Sequence, residues 1–296
     1  MTNAAQKAAQ RNRGTLFVED GEILSVEAWP GGQFIQRIRA PRCAASATAG
    51  SFVHISCDES LPMRRPLSIM RVGDDWIDIL YKTEGIGLKL LSQKQRGEIV
   101  SVLGPIGMAF EPDPQRPNAL LIGGGVGIPP MVFLADVLRE SPEWRPLAIL
   151  GSEIPFPFTL QKSALAVSGV DSEVYNAMPL LEEWEIPSRL TSLQGYDGCL
   201  KGYVTDLADQ WLSSLSAVEL ARVSVFTCGP TSMLKAVADL AARYELPCQV
   251  SLEEFMACAV GGCAGCTVLV NTPDGQAMKR VCVDGPVFDA STVVWE

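Results

Sequence analysis

Histidine is nearly absent from this sequence, since His54 is the only one among 296 residues. A single imidazole excludes a His-rich zinc site and any site that needs two imidazoles. The sequence also lacks an apolar run of the ~18–20 residues that a membrane-spanning helix requires. An excess of basic residues is missing as well, because 34 acidic residues outweigh 24 basic ones and leave a net charge of −10. This acidic balance argues against a protein that binds nucleic acid or an anionic membrane.

The rest of the composition is that of an ordinary globular protein, with 47% hydrophobic and 20% charged residues. At roughly 100–200 residues per domain, the length predicts two domains with room for a small third. Residues 1–14 carry three basic residues and no acidic one, and they lack the apolar core of an export signal. We expect a disordered tail there and a cytoplasmic protein; an organellar targeting segment is the alternative.

Short apolar runs, separated by glycine, proline and aspartate, fill residues 15–112. Strands are expected at residues 33–40, 51–57, 66–70, 76–82 and 97–103. The pair 66–70 and 76–82 flanks a Gly-Asp turn at 73–74 and predicts a hairpin. Several short strands with this punctuation predict an antiparallel β-barrel or a sandwich.

The pattern changes after residues 111–117, where three prolines in seven residues indicate a linker. Strands are expected at residues 119–122, 147–150 and 223–227. Helices are expected at residues 129–139, 204–212 and 233–244. Strands that alternate with helices predict βαβ units and a parallel sheet, so residues 113–248 form a predicted α/β domain.

Residues 249–296 are rich in glycine and cysteine and predict a small metal-bearing module. Four of the nine cysteines lie here: Cys258, Cys263, Cys266 and Cys282. Their spacing is that of the plant-type ferredoxin pattern for a [2Fe-2S] cluster. Small residues between the first three allow the backbone to wrap closely around a cluster. A zinc ribbon is the alternative, but zinc ribbons usually have two C-x2-C pairs and this stretch has one.

Two stretches of the α/β region predict a nucleotide site. The sequence LLIGGGVGIPP at 120–130 reads as a strand, a glycine loop and a helix start, a context in which backbone N–H groups bind phosphate. The sequence FTCGP at 226–230 lies at the carboxyl end of another predicted strand, where open α/β sheets bind ligands. The candidate contacts are Gly123, Gly124, Gly125, Gly127, Cys228, Gly229 and Pro230. The loop does not satisfy G-x-G-x-x-G, so a tight turn and a merely buried Cys228 are the alternatives.

The order of a barrel, an α/β region and a [2Fe-2S] tail resembles the ferredoxin reductase superfamily. It is most similar to the electron-transfer subunits of NAD-linked, type-B dihydroorotate dehydrogenase. Four motifs carry the resemblance, which covers nearly all of the chain after about residue 15: RRPLSI at 64–69, LYKTEGIGL at 80–88, the nucleotide pair GGGVGIPP and CGP, and VCVDGPVF at 281–288.

The resemblance implies that the barrel binds FAD and that the nucleotide pair binds NAD. Arg65 would contact the FAD pyrophosphate, and the next three residues would flank the isoalloxazine. The implied flavin contacts are Arg65, Pro66, Leu67, Ser68, Tyr81, Lys82, Gly85 and Gly87. Leu88 stands where the family has a threonine, so one hydroxyl contact to phosphate is missing. Without the resemblance, Arg65 is a surface arginine and Lys82 a solvated strand residue.

The implied function is an electron relay in pyrimidine biosynthesis, with no catalytic acid–base residue in this chain. An FMN-containing catalytic subunit would oxidise dihydroorotate, and electrons would pass through the [2Fe-2S] cluster and FAD to NAD. In the family the subunits assemble as a heterotetramer. Glu153, after the second predicted strand of the α/β region, favours NAD over NADP. The stretch 182–189 matches none of these motifs.

Two alternatives remain open. The first is an NAD(P)H-dependent flavin and iron–sulfur reductase that serves another acceptor, such as ferredoxin, sulfur compounds or an oxygenase. The second is a cluster-bearing sensor without enzymatic activity. The sequence does not distinguish these functions, because the electron donor binds the partner subunit and not this chain.

Overall fold

The computed structural model describes residues 15–295, so the predicted tail at residues 1–14 lies outside the described part. The first half is a closed barrel of antiparallel strands in the order β1-β2-β5-β4-β3-β6. Its strands are β1 (Phe17–Trp29), β2 (Gln33–Arg39), β3 (Phe52–Ser56), β4 (Arg65–Val72), β5 (Trp76–Lys82) and β6 (Ile99–Ile106). Branched side chains such as Ile38, Ile69 and Ile79 are fully buried in its core. The predicted barrel and its β4–β5 hairpin are confirmed.

Two short helices accompany the barrel, α1 (Pro41–Ala44) and α2 (Gly85–Gln93). The family resemblance implies a glycine turn at the end of the motif at residues 80–88, whereas the structure begins α2 there. No helix or strand lies between the end of β6 and residue 118.

The second half is an α/β sheet in the order β11-β8-β7-β12-β13-β16, parallel except for its last strand, β16 (Val287–Asp289). The strands are β7 (Asn118–Gly124), β8 (Leu147–Gly151), β9 (Gln161–Lys162), β10 (Asn176–Ala177), β11 (Ser188–Thr191), β12 (Val223–Cys228) and β13 (Cys248–Ser251), with β9 and β10 forming a separate small pair. The helices are α3 (Ile128–Arg139), α4 (Pro179–Glu183), α5 (Val204–Ser213), α6 (Ala217–Leu220) and α7 (Thr231–Arg243). The predicted parallel sheet is confirmed.

The C-terminal segment leaves this sheet and returns to it. After β13 come the clustered cysteines, the hairpin β14 (Thr267–Thr272) and β15 (Gly275–Arg280), and then β16 (Val287–Asp289). Strand β16 pairs antiparallel with β13. The boundary predicted between residues 248 and 249 therefore falls within β13, and the same sheet holds the cysteine segment at both of its ends.

Helix α3 joins the two halves. It packs along β4 of the barrel as well as on β7 of the sheet. Nine of its twelve residues are buried, which explains an apolar sequence on all sides of a short helix. The two halves are therefore positioned against each other along one buried element. Among residues 15–295, no helix has both the length and the apolar character needed to cross a bilayer.

Candidate functional site

Two of the implied flavin contacts meet at one end of β4. A Cβ atom placed on Gly87 would lie 3.1 Å from Nε of Arg65, so this guanidinium faces the first turn of α2. Arg65 also donates to the carbonyl oxygens of Met63 and Arg64, at 2.8 and 3.1 Å. Among the described residues, no carboxylate lies within ion-pair distance of Arg65. An unneutralised arginine beside a helix N-terminus provides a cradle for a phosphate group.

The neighbouring flavin candidates have different surroundings. Lys82 forms an ion pair with Glu84 at 2.8 Å, so its charge is already compensated. Tyr81 is buried, and its ring stacks on Phe34 with centroids 5.8 Å apart. Burial raises the pKa of Tyr81, and its hydroxyl has no hydrogen-bond partner within residues 15–295. Pro66 and Ser68 are half-buried on β4, and Leu67 is buried.

The two nucleotide motifs are brought into direct contact. Residues 125–127 form a 3-10 turn between β7 and α3, and a proline occupies the first turn of α3. A Cβ atom on Gly127 would overlap the carbonyl oxygen of Cys228, and one on Gly124 would overlap Sδ of Met233. The glycine loop therefore fits against the start of α7, and at Gly127 only glycine permits this approach, because the neighbouring atoms are backbone. Gly229, with φ +159°, is part of the same junction.

Three buried or enclosed polar groups surround the carboxyl end of β12. Cys228 is 1% exposed, and burial raises the pKa of its thiol. The hydroxyl of Thr227 is buried without a partner in the described part of the chain. The side chain of Glu253 reaches solvent, yet surrounding protein raises its pKa, a combination found in a cleft.

Sequence reasoning missed Thr227 and Glu253. Cys228 lies opposite Ser251 in the β12–β13 register, so Glu253 follows the end of the adjacent strand. The rule that ligands bind beyond the carboxyl ends of parallel strands would have found it, had β13 been predicted.

The four predicted iron ligands lie in two neighbouring pairs. Burial raises the pKa of Cys282 to about 12, and the adjacent Cys266 thiol adds to this effect. Burial also acts to raise the pKa of Cys258, but hydrogen bonds, chiefly from the N–H groups of Val260 and Cys263, outweigh it and lower the pKa to about 7. The pair Cys266–Cys282 is buried, whereas Cys258 is half-buried and Cys263 is exposed.

The backbone between the cysteines is shaped around sulfur. The N–H of Cys263 donates to Sγ of Cys258 at 3.4 Å, and the N–H of Gly265 donates to Sγ of Cys263 at 3.4 Å. Ala259 and Ala264, each directly after a cysteine, have φ of 55° and 53°. Non-glycine residues rarely adopt this left-handed conformation, and it concentrates at functional sites. The loop therefore presents N–H groups to sulfur, as a bound cluster requires.

This arrangement fits a two-iron cluster better than a single ion. Within residues 15–295, no three His, Cys, Asp or Glu side chains converge closely enough to hold one metal ion. A [2Fe-2S] cluster does not require such convergence, because its four thiolates are shared between two irons. The two cysteine pairs match that division, which a zinc site with four converging ligands does not.

His54 is no part of this ligand set. Its ring is fully buried on β3, and burial together with the charge of Arg64 lowers its pKa to about 4. Neither ring nitrogen has a hydrogen-bond partner in the described part of the chain. The backbone of Met256, two residues before Cys258, lies near the ring and favours its protonated form. The imidazole therefore packs beneath the segment that leads into the cysteine loop.

Comparisons with known proteins match the cysteine segment and most of the chain. The family described as "Iron-sulfur cluster binding domain of dihydroorotate dehydrogenase B" matches residues 253–294. The chain is 33% identical over 248 residues to the "Dihydroorotate dehydrogenase B (NAD(+)), electron transfer subunit" of Caldanaerobacter subterraneus subsp. tengcongensis, covering 83% of this chain and 87% of that protein. The subunit of the same name from Bacillus mycoides is 34% identical over 271 residues, covering 89% of this chain and 90% of that protein.

Solved structures give the same fold. A structure titled as that of an NADH-dependent reduced ferredoxin-NADP oxidoreductase superposes with a TM-score of 0.76 and 26% identity, covering 94% of this chain and 90% of that one. The ferredoxin reductase of a carbazole 1,9a-dioxygenase has a TM-score of 0.59 and 17% identity, over 78% of this chain and 67% of that one. The second likeness is one of fold alone.

Proposed function

Because this chain belongs to the family of dihydroorotate dehydrogenase B (NAD(+)) electron transfer subunits, we propose that it connects an FMN-containing dihydroorotate dehydrogenase subunit to NAD. The observation that carries the proposal is the arrangement of four cysteines in two pairs, on a loop whose N–H groups face sulfur. When bound, a [2Fe-2S] cluster would supply single-electron transfer, and FAD would couple two such electrons to the transfer of one hydride.

On the flavin side, this chain's part is to bind and orient. The guanidinium of Arg65 and the first turn of α2 at Gly85 and Gly87 hold the FAD phosphates. Pro66, Leu67 and Ser68 on β4 border the ring. The buried Tyr81 hydroxyl, which lacks a partner in the described residues, offers a hydrogen bond, while Lys82 contributes less because Glu84 neutralises it.

On the nucleotide side, residues 123–127 and 228–230 enclose the NAD phosphates and the nicotinamide. The carboxylate of Glu153 follows β8 and suits a free ribose 2′-hydroxyl, since it would repel a 2′-phosphate. The side chain of Gln194 donates to the Glu153 carbonyl at 3.3 Å and fixes that loop. These contacts support NAD rather than NADP.

The partner subunit docks beside the pair formed by the half-buried Cys258 and the exposed Cys263. Phe255 is 94% exposed, Val260 48% and Met278 60%, and all three belong to the cysteine segment or its hairpin. Three large apolar side chains exposed within one short segment support an interaction surface there. A cluster of cysteines that binds metal instead of forming disulfides favours a reducing compartment, so we place the chain in the cytoplasm. We assign FAD binding to residues 15–112, NAD binding to residues 113–248 and cluster binding to residues 249–296.

The test is an anaerobic purification of the tagged full-length chain from its own host, followed by an assay of dihydroorotate-dependent NAD reduction. We expect an FMN-containing partner and this activity to co-purify with the wild-type chain. Val260→Asp should weaken co-purification, whereas Val218→Asp, at a 76%-exposed position on α6, should leave it unchanged.

A chain that carries FAD and iron but reduces ferredoxin instead of coupling to dihydroorotate would overturn the proposed substrate. The fold similarity to the NADH-dependent reduced ferredoxin-NADP oxidoreductase makes this the second candidate function. A chain without NADH-reducible FAD would contradict both candidates.

A further inference from the structure

Arginine and tryptophan side chains alternate across the junction of the two halves. The guanidinium of Arg37 lies 3.5 Å from the ring centroid of Trp76, and that of Arg71 lies 5.7 Å from the same ring. Arg71 is also 5.6 Å from the ring of Trp184, over which Arg139 lies at 4.6 Å. We call these five residues the arginine–tryptophan ladder.

The ladder crosses from the barrel to the α/β half. Arg37, Arg71 and Trp76 belong to β2, β4 and β5, whereas Arg139 ends α3 and Trp184 follows α4. Arg71 is the connecting member, because it alone contacts a tryptophan from each half. Within residues 15–295 no carboxylate pairs with Arg71, so the two indoles are its charge-stabilising neighbours.

Ion pairs fix both ends of the ladder. Arg37 makes two hydrogen bonds of 2.8 Å to the carboxylate of Asp78, whose side chain is 4% exposed. Arg139 pairs with Asp136 at 2.6 Å on the same helix. The contacts between Arg71 and the indoles therefore join two arginines that are themselves held in place.

The ladder also accounts for the stretch 182–189, which no sequence motif explained. The carboxylate of Glu182 accepts hydrogen bonds from the Ala164 N–H at 2.6 Å and the Ser163 hydroxyl at 2.8 Å. Glu185 then turns the chain with φ 58°. These features hold Trp184 between Arg71 and Arg139, where it bridges the halves.

The ladder lies at the far end of the elements that carry the cofactor contacts. Strand β4 begins at Arg65 and reaches Arg71 near its end, while α3 begins after the glycine loop and ends at Arg139. Twelve helical residues span about 18 Å. Joining the distal ends of β4 and α3 restricts rotation between them, and thereby fixes the glycine loop relative to the flavin strand.

We propose that Arg71 and Trp184 are positioning residues that hold the nucleotide loop and the flavin strand at the separation needed for hydride transfer. Each cation–π contact is individually modest, but a displacement of about 1 Å between reacting groups can cost up to 100-fold in rate. The inference rests on the proposed function for its kinetic test and on the contacts alone for its structural test.

The kinetic test is stopped-flow reduction of bound FAD by NADH in the full-length holoprotein, which needs neither partner nor dihydroorotate. We expect Arg71→Leu and Trp184→Leu to lower the limiting rate about tenfold at unchanged FAD content. Arg71→Lys should retain most of the rate, because it keeps the cation. The double variant should lose little more than either single variant, since both break the same contact.

The matched control is Trp211→Leu, a half-buried tryptophan on α5 outside the ladder. It should lower stability without changing the limiting rate. The structural test measures hydrogen exchange, which should rise along α3 in the two ladder variants and not in the control. Rates and exchange that match the control, or additive losses in the double variant, would overturn the positioning role. Wild-type FAD that NADH does not reduce would instead count against the proposed function, and the exchange result would then decide the ladder alone.

Discussion

Two glycine-rich segments of this chain are predicted to hold cofactors, and they differ in what shapes them. At Gly124 and Gly127, an added Cβ atom would overlap side-chain or backbone atoms of the neighbouring helix and strand. At residues 262–265, the nearest atoms to such a Cβ on Gly262 and Gly265 are cysteine sulfurs, at 4.0 and 3.5 Å. The fold itself determines the first segment, whereas the second surrounds the space that a cluster would fill.

The difference teaches that glycine serves two purposes in one chain. In the nucleotide loop it lets a helix approach a strand, which is a requirement of folding. In the cysteine loop it leaves room and directs N–H groups to sulfur, which is a requirement of the ligand. Mutations in the nucleotide loop should therefore lower stability, whereas mutations in the cysteine loop should lower cofactor retention.

The largest expected effect follows from removing a buried ligand. Cys282→Ser should lose at least about tenfold in iron content, together with the visible spectrum of the cluster, because even outer contacts of a metal site cost 10–100-fold in affinity. Iron analysis and absorption of anaerobically prepared protein measure this. Cys199→Ser, at a half-buried cysteine outside the pairs, is the control. Normal iron in the Cys282 variant would remove it from the ligand set.

A purely structural effect is expected in the nucleotide loop. Gly127→Ala should lower the free energy of unfolding by about 3 kcal/mol, since its Cβ would overlap the Cys228 carbonyl. Gly125→Ala has open space around it and φ +55°, so it should cost only about 1 kcal/mol. Urea titrations of both variants test the contrast, and equal costs would show that packing does not shape this loop.

In the cysteine loop, we expect a mutation to weaken iron retention without lowering stability. Gly262→Ala should change the unfolding free energy of the iron-free chain by less than about 0.5 kcal/mol, because nothing closer than 4.0 Å meets the new atom. The same variant should release iron to a chelator about tenfold faster. Gly275→Ala, in the β14–β15 hairpin, should leave iron release unchanged. A Gly262 variant that is destabilised but keeps its iron would reverse our assignment of the two segments.

A pH-dependent effect tests whether the fold keeps His54 neutral beneath the segment that leads to the cysteines. His54 packs beneath Met256 with a pKa of about 4, against about 6.5 when unfolded, so the unfolded chain binds more protons between these values. Its contribution to stability is therefore complete above pH 6.5 and declines as the pH falls toward 4. From pH 7.5 to 5, wild type should lose about 1–2 kcal/mol more than His54→Gln in urea titrations. Parallel losses would mean that the ring is not held neutral.

The sequence carried the architecture because its strand and helix signals are local. Punctuation by glycine and proline located β4, β5 and β7, and cysteine spacing alone indicated the cluster. Helix α2 was missed because its flanking glycines read as a turn. Glu253 was missed because β13 was not predicted, whereas Thr227 and the contact of Arg71 with Trp184 depend on which strands and halves become neighbours. The individual site residues stay predictions until they are tested.

Strand β16 determines when the cysteine segment can be enclosed during synthesis of the chain. Its three residues, Val287–Asp289, pair with β13 from the far side of that segment. A nascent chain therefore exposes the edge of β13 until more than thirty further residues have been made, as domains fold in N-terminal order. The loop that would receive iron is closed only when this last strand arrives, so the barrel and most of the sheet are available to fold before the ligand set is enclosed.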